Sequence, residues 1–103
     1  MKLYLAHEPH MIPSVETRIK VNVPANNAGI EYRAQGNCPD AAPDLMTWLR
    51  ANCKDDVYMG HYEAIREGID KDPRFQPVDH FEVPLWFGDA NQAMMFKLAW
   101  CGL

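Results

Sequence analysis

The chain lacks the short motifs by which most enzyme families are recognised. Its single serine, Ser14, has no neighbouring glycine and so forms no Gly-x-Ser-x-Gly turn of a hydrolase. Its six glycines are isolated, which excludes a P-loop and a dinucleotide-binding Gly-x-Gly-x-x-Gly turn. These absences leave an enzymatic role open but favour a non-catalytic protein, and we assign no catalytic residue and no cofactor.

Disulfide pairs and membrane segments are also missing from the sequence pattern. The three cysteines, Cys38, Cys53 and Cys101, are odd in number and form no close pair, which is typical of free thiols in a reducing compartment. The longest apolar runs are far shorter than the roughly 20 residues of a membrane helix, and residues 1–10 lack a signal-peptide core. We therefore expect a soluble cytoplasmic protein without a membrane partner.

Basic residues do not cluster anywhere in the chain. It contains 10 Lys and Arg against 14 Asp and Glu, a net charge of −4, and the basic residues are scattered singly. A protein that binds the phosphates of nucleic acid concentrates Lys and Arg on one face, so we expect no nucleic-acid partner. One alternative is an acidic inhibitor that imitates nucleic acid, although such mimicry needs rows of surface carboxylates.

The clearest pattern that is present lies near the C-terminal end. Apolar residues alternate with others over 78–87, which is the period of a strand with one face on a core: Phe81, Val83, Leu85 and Phe87. Gly88 ends the strand. Asp89 is then placed as the N-cap of a helix over 90–97, with Gln92 three residues later to complete a capping box.

Three strands are predicted before this unit. They lie near 3–5, at 19–23 and at 30–34, and the segment PANNAG joins the last two as a hairpin. In that hairpin Lys20 would lie near Glu31.

Two further helices are predicted between the hairpin and the C-terminal unit. Pro43 suits a first helical position, and this helix is expected to end near Asn52. A second helix, capped by one of the two aspartates before it, is predicted from the i, i+4, i+7, i+11 spacing of Tyr58, Tyr62, Ile65 and Ile69. The alternative is a short strand over 57–59 followed by a helix from His61.

These elements predict one domain over residues 1–103 in the α+β class. The order β, β, β, α, α, β, α, with or without a last strand after residue 97, favours one antiparallel or mixed sheet with two to three helices on one face. We expect the core to contain the following apolar residues: Ile19, Val21, Val23, Ile30, Leu45, Leu49, Ile65, Phe81, Val83, Leu85 and Phe96.

Pro84 and Trp86 carry the most specific structural prediction. Proline lacks the N–H that a central strand donates, so the strand over 78–87 is expected at a sheet edge or bulged at Pro84. Trp86 faces away from the predicted core and is a liability there unless it is covered. We expect Trp86 and Pro84, with Tyr4 or Trp100 nearby, to form a two-fold homodimer interface. The alternative is a monomer in which a helix of the same chain covers this face.

His7, Glu8 and His10 form the densest group of possible metal ligands. Zinc proteases place two histidines four residues apart on a helix, whereas these two are three apart and Pro9 works against a helix. We therefore assign no metal site.

The segment FGDANQAMMFKLAW resembles the endings of many small tailed-phage proteins of unknown function. The resemblance covers this segment only. It implies that the chain is phage-encoded and acts in the host cytoplasm, and it implies no activity and no site residue.

The leading functional hypothesis is a small non-catalytic protein that acts through contacts with a second copy of itself or with another protein. The main alternative is a small enzyme or ligand-binding domain whose pocket is assembled from residues distant in sequence. A pocket that gathers acids with one or more of the four histidines would favour this alternative: His7, His10, His61 and His80.

Overall fold

The computed structural model describes residues 1–33, 37–66 and 78–101 of the 103-residue chain. The described residues form seven strands and two α-helices: β1 (Leu3–Leu5), β2 (Ile19–Pro24), β3 (Ile30–Arg33), β4 (Cys38–Ala41), α1 (Pro43–Asn52), β5 (Val57–Met59), β6 (Glu63–Arg66), β7 (Val78–Phe87) and α2 (Ala90–Trp100). Two short 3-10 helices, Pro9–Met11 and Val15–Thr17, lie between β1 and β2. No helix in this part of the chain is long and apolar enough to cross a bilayer.

β7 is the central strand of a five-stranded mixed sheet. It pairs antiparallel with β2 on one side and with both β5 and β6 on the other, while β1 pairs parallel with β5. β3 and β4 form a separate two-stranded ribbon. The predicted α+β class, with a mixed sheet, is confirmed.

The predicted hairpin between β2 and β3 is wrong. β2 pairs with β7 along its whole length, because β7 presents a longer apolar face that matches the alternation of β2. At Asn27 the chain makes two successive turns, in which the Asn27 N–H donates to Pro24 and the Asn27 carbonyl accepts from Ile30. These turns direct β3 away from the sheet, so Lys20 does not pair with Glu31.

Both α-helices pack on one face of the sheet and share a core with it. Trp48 of α1 contacts Phe96 of α2, with ring centroids 6.0 Å apart. Most of the predicted core is buried here, and Ile19 and Ile30 are half-buried against it. The principal buried side chains are Val21, Val23, Leu45, Leu49, Val57, Met59, Val83, Leu85, Phe87, Ala93 and Phe96.

Two residues predicted for this core lie elsewhere. Phe81 is 49% exposed, because the buried part of β7 begins only at Val83. It lines a groove of about 440 Å³ together with Tyr32 and Tyr62. Ile65 is half-buried on the opposite face of the sheet, since it pairs with His80.

The predicted second helix is wrong. Of the alternative prediction, the strand over 57–59 is confirmed and the helix from His61 is wrong. β5 forms there and β6 replaces the helix expected from His61, while residues 67–69 lie outside the described part of the chain. A strand forms here in place of a helix because it brings both Val57 and Met59 into the core. The Gly60 N–H continues the ladder by donating to the Pro84 carbonyl at 2.9 Å.

Pro84 lies in the central strand, so its predicted place at a sheet edge or bulge is wrong. Its carbonyl accepts from Gly60, and in an antiparallel ladder the missing N–H points to that same side. Residues 60–62 separate β5 from β6 there, which interrupts the ladder beside the proline. A proline is tolerated at a strand position where no carbonyl group of the neighbouring strand needs an N–H from it.

The first and last predicted helices are confirmed. α1 begins at Pro43 and ends at Asn52. The Asp89 side chain caps α2 by accepting from the N–H groups of Asn91 at 2.7 Å and Gln92 at 3.2 Å. α2 continues to Trp100, beyond the predicted end. Gln92 does not complete a capping box, because its side-chain oxygen is buried without a partner among the described residues.

Candidate functional site

Trp86 is covered by its own chain. The segment after β1, which includes the two 3-10 helices, crosses the sheet face opposite the α-helices, and we call this the outer face. Trp86 is only 6% exposed there and clusters with Ala6 and Ile12, with Val15 and Tyr58 packed against them. The alternative prediction was that a helix of the same chain covers this face. The chain does cover it, but with a loop segment in place of a helix.

The predicted interface residues do not form one exposed surface. Pro84 is buried beside Trp86, and Tyr4 is 41% exposed and stacks on Tyr58 with ring centroids 5.2 Å apart. Trp100 packs against the main core on the other side of the sheet. The homodimer stays a prediction, but these residues do not offer it an exposed patch.

A small cleft lies beside Trp86 where three segments distant in sequence meet. Its volume is about 140 Å³, and its lining includes His7, Gly60, His61, Glu63, Pro84 and Trp86. We call it the histidine cleft. A Cβ atom at Gly60 would lie 2.8 Å from both the Pro84 and the Trp86 side chains, so only glycine keeps this wall in place.

Two of the four histidines meet at this cleft. The rings of His7 and His61 have centroids 5.9 Å apart. The Tyr62 N–H donates to His61 Nδ1 at 2.9 Å, which places the proton of the neutral ring on Nε2. His10 instead contacts Glu8 at the surface, 3.1 Å from Nδ1 to Oε2.

Glu63 supplies the carboxylate of the cleft. Its Oε2 lies 3.1 Å from Lys20 Nζ, and that ammonium group is 5.6 Å from the ring centroid of Trp86. Its Oε1 is buried and has no hydrogen-bond partner among the described residues. Glu82 stands directly opposite Glu63 in the β6–β7 register, which puts a second carboxylate beside the first.

His80 and Glu82 form a hydrogen-bonded row next to these charges. His80 Nε2 lies 2.8 Å from Glu82 Oε2, and His80 Nδ1 lies 2.7 Å from Asp79 Oδ2. Asn22 donates to the other oxygen of Glu82 at 3.0 Å. The bond to Glu82, then that to Asp79, raises the pKa of His80, while the bonds from His80 and Asn22 lower the pKa of Glu82.

Metal and thiol chemistry find little support in the described residues. No group of three or more His, Cys, Asp or Glu side chains in residues 1–33, 37–66 and 78–101 is arranged to hold a metal ion. All three cysteines are free. Burial raises the pKa of the Cys53 and Cys101 thiols, which reduces the fraction of reactive thiolate.

A second surface of interest is the outward side of α2. Ala93 and Phe96 anchor the helix in the core. On the other side Met94, Met95 and Leu98 are 63%, 43% and 59% exposed. The sequence signal for this surface is the apolar character of α2 on all sides, in a helix with only one charged residue, Lys97.

Comparison with protein-family models, with curated proteins and with solved structures finds no match. The resemblance of the C-terminal segment to phage proteins therefore stays a prediction. Among the described residues, three surfaces can be considered for a function: the histidine cleft on the outer face of the sheet, the outward side of α2, and the groove lined by Tyr32, Tyr62 and Phe81.

The sequence patterns do not predict the cleft, because its lining comes from three segments distant in sequence. The predicted second helix, which contains Tyr58 and Ile69, includes both Gly60 and Glu63. The strands β5 and β6 instead bring these residues beside Trp86. The four histidines are the one part of the cleft that the sequence indicates, and two of them, His7 and His61, line it.

Proposed function

We propose that the protein is non-catalytic and acts through protein–protein contacts made by the outward side of α2. The observation that carries this proposal is the exposure of Met94, Met95 and Leu98 side by side on one helix. A contiguous exposed apolar patch marks an interaction site. Methionine is common at such surfaces because its unbranched side chain adapts to the partner.

The occupant that we propose is a second copy of the chain. Two copies, each with a net charge of −4, repel one another on average. Residues 90–100 contain no Asp or Glu, so α2 is a surface where two copies meet at low electrostatic cost. In a two-fold contact the same patch serves both subunits, which would pair Met94 and Leu98 with their own equivalents.

The free thiols support the cytoplasm as the compartment in which this contact forms. If the chain is phage-encoded, that compartment is the cytoplasm of the host.

Light scattering after size exclusion, from about 1 to about 100 μM protein, tests the proposal. We expect the wild-type mass to rise toward twice the 11.8 kDa of one chain. The double substitution Met94→Glu and Leu98→Glu should hold the mass at that of one chain, because it would bury four charges in the contact.

Thr47→Glu is the matched control, since it adds a charge to the exposed side of α1. The Thr47→Glu variant should have the same mass as the wild type at each concentration. Circular dichroism checks that all variants are folded. A wild type that stays monomeric throughout, or equal effects of the α1 and α2 substitutions, would overturn the proposal.

A second candidate function, the binding of a small ligand, is favoured by the histidine cleft, which gathers His7, His61 and Glu63. It is compatible with the first because the cleft and α2 lie on opposite sides of the sheet. Mimicry of nucleic acid has less support, since Glu63 and Glu82 are paired with Lys20 and His80 and do not form a row of free carboxylates.

A further inference from the structure

We propose that the groove lined by Tyr32, Tyr62 and Phe81, here called the aromatic groove, binds a proline-rich segment of another protein in the polyproline II conformation. Tyr32 and Phe81 are 62% and 49% exposed, so two large rings lie at the surface. The rings of Tyr32 and Tyr62 have centroids 6.5 Å apart. The volume of about 440 Å³ falls within the roughly 300–1,000 Å³ of ligand pockets.

A second groove adjoins the aromatic groove. Its volume is about 400 Å³, and its lining adds Pro24, Asn26 and His80. Ala25 and Phe81 line both grooves, which therefore meet at the Phe81 ring. A compact molecule would fill one groove, whereas an extended chain can occupy both. A polyproline II segment of about six residues spans about 19 Å, at about 3.1 Å per residue.

The two grooves carry no formal charge apart from any on the histidines. Neither lining contains Lys, Arg, Asp or Glu, although these residues make up 23% of the chain. A charged peptide thus finds no side chain in the lining with which to form an ion pair with Lys, Arg, Asp or Glu. Uncharged proline-rich segments dock in grooves lined by aromatic side chains, so the lining favours this class of ligand.

The aromatic groove offers hydrogen-bond donors. The Tyr32 hydroxyl donates to Asn37 Oδ1 at 2.6 Å, which leaves the amide N–H groups of Asn37 as donors. The Tyr62 hydroxyl has no hydrogen-bond partner among the described residues. Burial, followed by the nearby Tyr32 and Cys38, raises the pKa of Tyr62, which keeps its hydroxyl protonated and able to donate.

A proline-rich segment has the complementary groups. Proline carries a backbone carbonyl but no N–H, and polyproline II has no internal hydrogen bonds, so its carbonyl groups are free to accept. Such a segment is already extended before it binds and loses little conformational entropy. No two of the eight prolines in this sequence are three residues apart. The sequence thus supplies no Pro-x-x-Pro segment of its own, and the occupant comes from another protein.

Titration of the ¹⁵N-labelled protein with acetyl-hexaproline amide tests the inference. We expect saturable shifts of the backbone amides of Tyr32, Tyr62 and Phe81. A Gly-Ser peptide of the same length, which has no preformed polyproline II structure, should give no saturable shift. Absence of saturation with hexaproline, or equal saturation with the Gly-Ser peptide, would overturn the proposal.

Indole tests the other occupant that aromatic walls admit, a flat small molecule. We expect hexaproline to bind at least about tenfold more tightly than indole, because the peptide reaches both grooves. Saturation with indole at equal or higher affinity would make the aromatic groove a small-molecule site and would overturn the proposal.

Tyr32→Ala removes an exposed aromatic ring from the groove. We expect it to weaken hexaproline binding by about tenfold or more, as for the loss of an aromatic anchor. Tyr4→Ala is the matched control, because Tyr4 is 41% exposed and lines neither groove. It should leave the affinity unchanged. Equal affinities of Tyr32→Ala and wild type, or equal losses in the two variants, would contradict the proposal.

Tyr62→Phe keeps the ring and removes the hydroxyl donor. We expect it to weaken hexaproline binding by about twofold to tenfold, as for the loss of one hydrogen bond. An unchanged affinity would contradict the assigned donor.

This inference does not rest on the α2 contact, because no residue of 90–100 lines either groove. The double substitution Met94→Glu and Leu98→Glu should therefore bind hexaproline as the wild type does. Light scattering on the same samples reports on the α2 contact separately, so failure of one proposal does not imply failure of the other.

Discussion

The two α-helices are nearly equal in length and lie on the same face of the sheet, yet their outward sides differ. α1 has 10 residues and turns Asp44, Thr47 and Arg50 to solvent. α2 has 11 residues and turns Met94, Met95 and Leu98 to solvent. Each helix buries two residues fully in the core. The core of one chain thus explains the inward sides of both helices, but it does not explain the outward side of α2.

The inward sides should be equivalent when tested. Leu49 of α1 and Phe96 of α2 are both 0% exposed. We expect Leu49→Ala to lower the free energy of unfolding by about 2–5 kcal/mol and Phe96→Ala by about 3–5 kcal/mol, through lost burial and a residual cavity. Urea melts measure both values. A loss below about 0.5 kcal/mol for either variant would contradict the shared core.

The helix starts should differ in a measurable way. Asp89 caps α2 with two hydrogen bonds, whereas Ala42 stands at the N-cap of α1 and only Asp44 adds charge to its first turn. We expect Asp89→Ala to cost about 0.5–2 kcal/mol and Asp44→Ala about 0.3–1 kcal/mol. Chemical denaturation of the two variants makes the comparison. The prediction fails if Asp44→Ala is the more damaging change.

The smallest expected effect is a dependence of stability on pH. It should arise from His80 and Glu82 on the outer face of the sheet and not from α2. The raised pKa of His80 stabilises the fold below about pH 6.5, and this contribution is lost as pH rises through the folded-state pKa. The lowered pKa of Glu82 stabilises the fold above about pH 4.5, and this contribution is lost as pH falls through its folded-state pKa. The row should therefore contribute most between these two values.

Urea midpoints of wild type and His80→Gln should accordingly differ more at about pH 6 than at about pH 9. The mass of the protein should stay constant over the same range, because residues 90–100 contain no histidine and no Asp or Glu. A mass that follows the titration of His80 would place the contact on the outer face of the sheet and not on α2.

Local signals made part of this structure predictable. The strand over 78–87, the N-cap at Asp89 and the helix from Pro43 were predicted correctly because period and capping depend on neighbouring residues. The hairpin and the second helix were wrong because partner strands far along the chain decided both, β7 for β2 and β7 again for β5. The apolar outward side of α2 was readable from sequence, since Met94, Met95 and Leu98 flank the residues that enter the core.

The histidine cleft could not be predicted in the same way. It depends on residues 6–9, 60–63 and 84–86, and no spacing within one segment reports their proximity. The covering of Trp86 could not be predicted either, because Ile12 and Val15 belong to no regular pattern that would place them against a sheet face.

The contact between two α2 helices is tested most directly by nuclear Overhauser effects between chains. A mixture of ¹³C-methionine-labelled and unlabelled protein allows only contacts between copies to be selected. We expect intermolecular effects from the methyl groups of Met94 and Met95 to Leu98 of the second copy. Intermolecular effects confined to other residues, or none at a concentration of about 1 mM, would contradict it.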